Sequence, residues 1–344
     1  MRRAVFNMMD ERPIWSPPQW VTQRLRAALP ADWELVEVDM PVSGSGDGGG
    51  VVSESALAAM RGAEIYFGLG LPRGLLLAAL EPPSRLRWIH SGSAGVASLL
   101  QPELIDADIV VTNSAWIHAP PMAETVMGMI LHFARGLDIA TDAQGRREWA
   151  ADRFAALDSG IREVAGTTLG ILGYGGIGRE IARRARAFDM RIIATRRTNR
   201  PAEHAEILSG EDALDQLLEQ SDFLVVSVPS TPATRGLIGE RELARMKDGA
   251  LFINVARGEV TDEEALVREL ERGRLRGAAL DVFTQEPLPA TSPFWSLPNV
   301  LILPHTSPTT DRFWDRETDL MLNNLEQYLA GGRLRNHVDV RAGY

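Results

Sequence analysis

Runs of apolar, mostly β-branched residues alternate with longer stretches whose apolar positions recur at helical spacing, and this alternation predicts βα units around parallel sheets. The predicted strands are Leu35 to Val38, Glu64 to Gly68, Leu86 to His90, Asp108 to Thr112, Thr168 to Leu172, Arg191 to Thr195, Phe223 to Val228, Leu251 to Asn254 and Gly277 to Leu280, which makes the fold class α/β. The stretch from Ala119 to Arg135 opens with prolines and continues as a helix apolar on nearly all sides. Such a helix must be covered all round and is expected between domains or subunits. From Gly136 to Gly166 the chain is polar and arginine-rich, without strand patterning; a second βα series then runs from Thr167 to about Pro304, and a last helix spans Pro308 to Ala330. Ser43 to Gly50 carries five glycines in eight residues and reads as a surface loop.

Length and composition narrow the picture. A chain of 344 residues fits about two domains. Its 36 basic and 46 acidic residues leave a net charge of −10, so the broad basic field of a nucleic-acid-binding protein is missing and no nucleic-acid partner is expected. Cysteine is absent, which removes disulfides, thiolate nucleophiles and cysteine-held zinc or iron–sulfur sites; no metal is expected. At the amino terminus a short apolar run ends at Asp10-Glu11-Arg12, unlike the core of a secretory signal, and no apolar stretch approaches the ~20 residues that cross a bilayer. The expectation is a cytoplasmic protein with no membrane partner. Lys247, the sole lysine, lies in a polar Met-Lys-Asp-Gly turn, a poor setting for Schiff-base chemistry or a phosphate-loop lysine.

The most informative motif follows the strand Thr168 to Leu172: Gly173-Tyr174-Gly175-Gly176-Ile177-Gly178, then an arginine-rich helix from Arg179 to Phe188. Glycines at this spacing allow a tight turn, close approach of a pyrophosphate to the backbone and close helix packing, while the helix start offers free N–H groups to the anion. Set between a strand and a helix, the motif predicts dinucleotide binding. The next strand ends in Thr195-Arg196-Arg197, with no carboxylate at its tip for ribose hydroxyls and two guanidiniums that suit a 2′-phosphate. NADP is therefore favoured, with NAD as the other option.

A nicotinamide cofactor moves a hydride, and reduction of a carbonyl also needs a proton donor near neutral pH, a role that suits histidine. Of the six histidines, His132 lies in the apolar helix and reads as a core residue, while His204 and His337 fall in polar stretches expected to be exposed. His90 and His118 each precede a segment that could line a cleft. His305, after the strand-like run Val300 to Leu303 and Pro304, is the leading candidate. Asn254-Val255-Ala256-Arg257-Gly258 and Asp281-Val282-Phe283-Thr284-Gln285-Glu286-Pro287 also follow strands, so Arg257, Glu286 and His305 fall on successive strand ends of one domain, where they can converge.

With these blocks in view, the sequence resembles the D-isomer-specific 2-hydroxyacid dehydrogenase family. The likeness rests on four blocks in order, GYGGIG, NVARGEV…AL, ALDVFTQEPLPATSPFWSLPNV and LPHTS, preceded by the loop His90 to Val96. It implies two Rossmann-like or flavodoxin-like domains with parallel sheets, the cofactor domain (116–305) inserted in a substrate domain (1–115 and 306–344), with catalysis in the cleft. It also implies a homodimer joined through the cofactor domain, with the helix after Pro121 and the arm around Trp149 as the interface. Carried onto this chain, Arg257 would bind the substrate carboxylate and polarise the keto oxygen, His305 would exchange a proton with that oxygen, and Glu286 would orient the imidazole and favour its cationic form. Backbone N–H groups of Ala94 and Gly95 would hold the carboxylate. Asp281 would position the nicotinamide carboxamide, Val255 and Ala256 would line that pocket, and Pro229 and Thr234 would flank the cofactor. The implied activity is NADPH-dependent reduction of a 2-keto acid to the D-2-hydroxy acid, glyoxylate and hydroxypyruvate being the narrower expectation. Glu286 stands where related formate dehydrogenases carry glutamine, which argues against formate oxidation. The chain ends soon after its last helix, where no regulatory domain of the kind found in many phosphoglycerate dehydrogenases is expected. A dinucleotide-sensing corepressor of the same fold is the alternative, and Trp15 and Trp20 are left without a role.

Overall fold

The computed structural model describes residues 1–38, 40, 52–96, 99–198 and 200–341; the glycine-rich segment Ser43 to Gly50 lies outside the described residues. The chain forms two compact units, unit 1 from Met1–His118 with Thr309–Tyr344 and unit 2 from Ala119–Pro308.

Unit 1 is built on five strands, β1 (Arg2–Asn7), β2 (Trp33–Glu37), β3 (Ile65–Gly68), β4 (Trp88–Ser91) and β5 (Val110–Asn113), in the order β2-β1-β3-β4-β5 with every pair parallel. Alternate residues serve opposite faces. Val5, Tyr66 and Ile89 pack with the helices Glu54–Met60 and Arg73–Leu80, whereas Phe6, Phe67 and Trp88 pack with Gln19–Ala28 and Phe313–Leu329. The strand β1 is absent from the sequence reading: its apolar run is short and buried on both faces, so it shows no period.

The helix Phe313–Leu329 is tied into unit 1 by buried polar groups. His90 Nε2 lies 2.8 Å from Glu317 Oε1 with both side chains fully buried, and His90 Nδ1 lies 2.9 Å from Thr112 Oγ1, which also accepts from Trp88 Nε1. Asn324 accepts from the Arg335 N–H (2.7 Å) and donates to its carbonyl (3.2 Å), and the Tyr328 hydroxyl donates to Glu64 (2.7 Å), which also holds Arg2. His90 is thus closed inside the unit rather than open to a cleft, because this helix supplies the carboxylate that its ring needs. Trp15 also acquires a setting: its ring meets His118 and Phe313 edge-on.

Unit 2 has seven parallel strands, β6 (Thr168–Leu172), β7 (Arg191–Thr195), β8 (Glu206–Leu208), β9 (Phe223–Val226), β10 (Leu251–Asn254), β11 (Gly277–Leu280) and β12 (Val300–Ile302), in the order β12-β11-β10-β9-β6-β7-β8. Ile171, Ile192, Val225 and Ile253 face the helices Ala119–Ala134 and Gly176–Ala185; Leu172, Ile193, Leu224 and Phe252 face Ala213–Gln220, Glu240–Arg245 and Glu263–Glu271. The apolar helix expected between domains or subunits finds its cover within unit 2 itself, where Ala123, Val126, Ile130 and Phe133 share a core with Ile181, Ala182 and Ala185. The polar stretch after it forms the helices Leu137–Arg146 and Ala151–Ala155, anchored by an Arg276–Asp138 pair at 2.6 Å, and leaves Trp149 and Leu157 almost fully exposed. Among the described residues no helix is long and apolar enough to cross a membrane.

Breaking the buried pair should be costly, since a lone buried charge or imidazole is left behind. Glu317→Ala is expected to lower the unfolding free energy by about 3–5 kcal/mol in urea titrations followed by tryptophan fluorescence. Asp319→Ala, which breaks the exposed pair with Arg24, should change it little.

Candidate active site

Because all strands of unit 2 are parallel, their carboxyl ends share one edge, and the order β9-β6-β7 makes a topological switch point there. The turn Gly173 to Gly178 opens at this point. Gly173 has φ +102°, a left-handed value that favours glycine, and its N–H and that of Tyr174 donate to the Thr195 carbonyl at 3.2 and 2.8 Å, joining the ends of β6 and β7. A Cβ at Gly178 would lie 2.5 Å from the Gly173 carbonyl oxygen, whereas one at Gly175 would meet none of the described residues within 4 Å. The space above Gly175 is therefore open while the turn beneath it is close-packed. Gly175 caps the helix Gly176–Ala185 without a side-chain bond, and the first turn, with Ile177, has no acidic residue. Free N–H groups beside open space fit the pyrophosphate of a dinucleotide.

At the tip of β7, the half-buried Arg196 donates to the carbonyls of Thr198 (2.8 Å) and Pro201 (3.3 Å), with its guanidinium 5.8 Å from the Tyr174 ring centre. Arg197 beside it is exposed. After β9, the Thr234 hydroxyl donates to the Pro229 carbonyl at 2.6 Å and closes the 229–234 turn.

Three adjacent strands carry the chemistry-bearing residues. Beyond β10, Asn254 accepts from the Ala256 N–H (2.9 Å) and donates to the Arg257 carbonyl (3.1 Å), shaping the buried Val255–Ala256 turn that presents Arg257 at the surface. A Cβ at Gly258 would lie 2.0 Å from the Phe283 carbonyl carbon, so only glycine lets this turn press against the segment leading to Glu286. Beyond β11 and β12, Glu286 Oε2 lies 2.7 Å from His305 Nδ1, and the two side chains are 35% and 39% exposed. Burial pushes the Glu286 carboxyl up; the His305 hydrogen bond, the Phe283 N–H and the charges on His305 and Arg257 outweigh it and hold it below the usual range.

His305 itself sits at φ +55°, a strained value for a residue with a Cβ. Its N–H donates to the Asp281 carbonyl (2.9 Å), and the Asp281 carboxylate accepts from the N–H groups of Thr306 (2.7 Å) and Ser307 (3.1 Å) and from the Ser307 hydroxyl. Asp281 is 1% exposed, and burial raises its carboxyl above the usual range against those opposing bonds. Asp281 thus braces the turn that holds His305. Asn254 and Ser307 were not singled out from the sequence; a buried Asn at a strand end is the signal that could have marked the first.

In unit 1, Ala94 and Gly95 are exposed, and no acceptor among the described residues takes either N–H. The other histidines are less suited to proton exchange. His118 Nδ1 is buried without a partner among the described residues, and burial lowers the pKa of His118 and of His132. His204 is only 25% exposed and lies 3.8 Å from Glu203.

The chain is similar to known proteins. A family model described as "D-isomer specific 2-hydroxyacid dehydrogenase, NAD binding domain" matches residues 127–307. The chain is 36% identical to a glyoxylate reductase from Thermococcus gammatolerans over 72% of its own length and 74% of that protein. It is 34% identical to a D-3-phosphoglycerate dehydrogenase from Methanocaldococcus jannaschii over 76% of its length, and spans about half (49%) of that relative. Among solved structures it resembles a D-isomer specific 2-hydroxyacid dehydrogenase from Xanthobacter autotrophicus Py2, crystallised with NADPH and MES, with a TM-score of 0.80 at 29% identity, covering 100% of this chain and 99% of that one.

A depressed carboxylate stabilises the fold above its unfolded pKa and loses that contribution as pH falls through the folded value. The stability advantage of the wild type over Glu286→Gln should therefore be complete above pH 4.5, the ordinary value, and vanish on further acidification in pH-dependent urea melts.

Proposed function

The chain belongs to the D-isomer specific 2-hydroxyacid dehydrogenase family, and from that premise we propose that it reduces a short 2-keto acid to the D-2-hydroxy acid with NADPH, accepting NADH less well. The observation that carries this reading is the exposed His305–Glu286 pair at 2.7 Å, the two residues following β12 and β11 in a sheet whose next strand, β10, leads to Arg257. The bound cofactor supplies the hydride to the carbonyl carbon. The Gly173 to Gly178 turn holds its pyrophosphate, Arg196 and Arg197 its 2′-phosphate, Pro229 and Thr234 flank it, and Val255 and Ala256 line the nicotinamide end. The two carbonyl anchors of Arg196 favour this, since a pre-set guanidinium loses less freedom on binding phosphate.

Arg257 engages the substrate carboxylate and the keto oxygen, where a planar fork meets two acceptors. With Nδ1 held by Glu286, His305 gives the proton on Nε2 to the keto oxygen as negative charge develops there, and takes one back in the oxidative direction. Glu286, ionised well below neutrality, stabilises the proton-loaded imidazole. The free N–H groups of Ala94 and Gly95 hold the carboxylate in unit 1. Glyoxylate and hydroxypyruvate are the favoured substrates, a choice supported by the glyoxylate reductase relative. That the relatives are named as a reductase and a dehydrogenase favours an enzyme over a dinucleotide-sensing corepressor. We further propose a cytoplasmic homodimer joined through unit 2, in which a second copy covers Trp149 and Leu157.

Reduced-cofactor absorbance with glyoxylate, hydroxypyruvate, pyruvate and phenylpyruvate tests the reading. Turnover with NADPH well above NADH is expected, and failure with every acid would overturn it. His305→Ala should lower kcat on the order of 10²–10⁴-fold while NADPH still binds. Arg196→Asp combined with Arg197→Ser should reverse the NADPH/NADH ratio; an unchanged ratio would place the selectivity elsewhere.

A further inference from the structure

Asn113 closes β5, and its side chain is buried and bonded at both ends. Its Nδ2 donates to the Ala94 carbonyl at 2.7 Å, and its Oδ1 accepts from the Ala115 N–H at 3.1 Å. Its backbone is gripped in turn by Asn336: the Asn113 N–H donates to the Asn336 carbonyl (3.1 Å), and Asn336 Nδ2 donates to the carbonyls of Asn113 (3.0 Å) and Ala115 (2.7 Å). Asn336 reaches this position at φ +55°, a left-handed value that asparagine tolerates better than most residues. Ser114 continues the clamp, its N–H donating to the Ser93 carbonyl (3.2 Å) and its hydroxyl to the Ser91 carbonyl (2.8 Å).

The Ala94 carbonyl and the Gly95 N–H belong to one planar trans peptide and point in opposite directions. A grip on that oxygen therefore fixes where the Gly95 N–H points. A donor on the oxygen also polarises the same amide and strengthens its N–H as a donor. Gly95 is an exposed residue, and its N–H has no acceptor among the described residues. The task needs a donor and an acceptor on one short side chain, which an amide provides; a carboxylate at 113 would set oxygen against oxygen at Ala94.

We propose that Asn113, locked by Asn336, is a positioning residue that aims the Gly95 N–H at the substrate carboxylate. The proposal rests on the reading of the Ala94–Gly95 loop given under the proposed function. A bond present equally in the ground and transition states acts on KM rather than kcat.

The test is steady-state kinetics of Asn113→Ala, Asn113→Asp and Asn336→Ala with NADPH and whichever 2-keto acid the wild type reduces fastest, together with NADPH affinity by fluorescence titration. The Asn113 variants should raise KM about tenfold, the size of one hydrogen bond to a charged group, with kcat within about threefold and NADPH affinity unchanged. Asn336→Ala should move KM in the same direction by less, and the double variant should be no worse than Asn113→Ala alone. An unmoved KM, or a rise in KM accompanied by losses of kcat and NADPH affinity, overturns the positioning role while the reductase reading stands. Should the Asn113 variants fail to fold, Asn336→Ala decides by the same criterion. A wild type that reduces no 2-keto acid overturns the function and this proposal together.

Discussion

Every strand pair in both sheets is parallel, so each sheet gathers all its carboxyl ends on one edge and must bury both of its faces. The rest of the molecule follows from that constraint. Burial of both faces calls for a helix after nearly every strand, and the loops entering those helices all open on the same edge. Arg257, Glu286 and His305 are far apart in sequence, yet they follow β10, β11 and β12, which are neighbours. The glycine turn and the arginines that follow β7 come from the other side of the switch point on the same edge.

A loop at a sheet edge is loose unless something fixes it, and the fixing groups here are buried polar side chains bonded to backbone. Asp281 holds the peptides after His305, Asn254 shapes the turn before Arg257, and Asn113 grips the carbonyl of Ala94. In each case an exposed residue is next to, or a few positions from, the one that is held. This division explains why the anchoring residues are Asp and Asn, whose short side chains bond backbone groups with little freedom to lose. It also explains the strain at His305, which persists because its surroundings over-determine it.

Much of this architecture was legible from apolar periodicity. Strands such as Thr168–Leu172, Arg191–Thr195, Leu251–Asn254 and Gly277–Leu280 lie where the apolar runs predict them, because buried parallel strands are continuous apolar segments with sharp polar ends. The strands β1 and β8 escaped, one being buried on both faces and the other being three residues at a sheet edge. Placement of Arg257, Glu286 and His305 at strand ends was readable, since a residue's distance from its own strand is a local fact. Which polar groups pair was not. Nothing local tells that His90 meets a carboxylate 227 positions away, or that Asp281 turns toward Ser307. Likewise the apolar helix Ala119–Ala134 announced that it would be covered, while the identity of its cover depended on the tertiary fold.

Unit 1 is made in two instalments, and this bears on how the protein is born. The helix Phe313–Leu329 covers the face formed by Val21, Leu25, Phe67 and Trp88, yet all of unit 2 is translated between them. At roughly 5–20 residues per second, that face leaves the ribosome tens of seconds before its lid does. Unit 2, being continuous, is free to close first. The nascent chain thus carries an apolar half-domain until the helix Phe313–Leu329 follows, and the emergence of that helix, rather than of the first 118 residues, is the event that lets unit 1 complete.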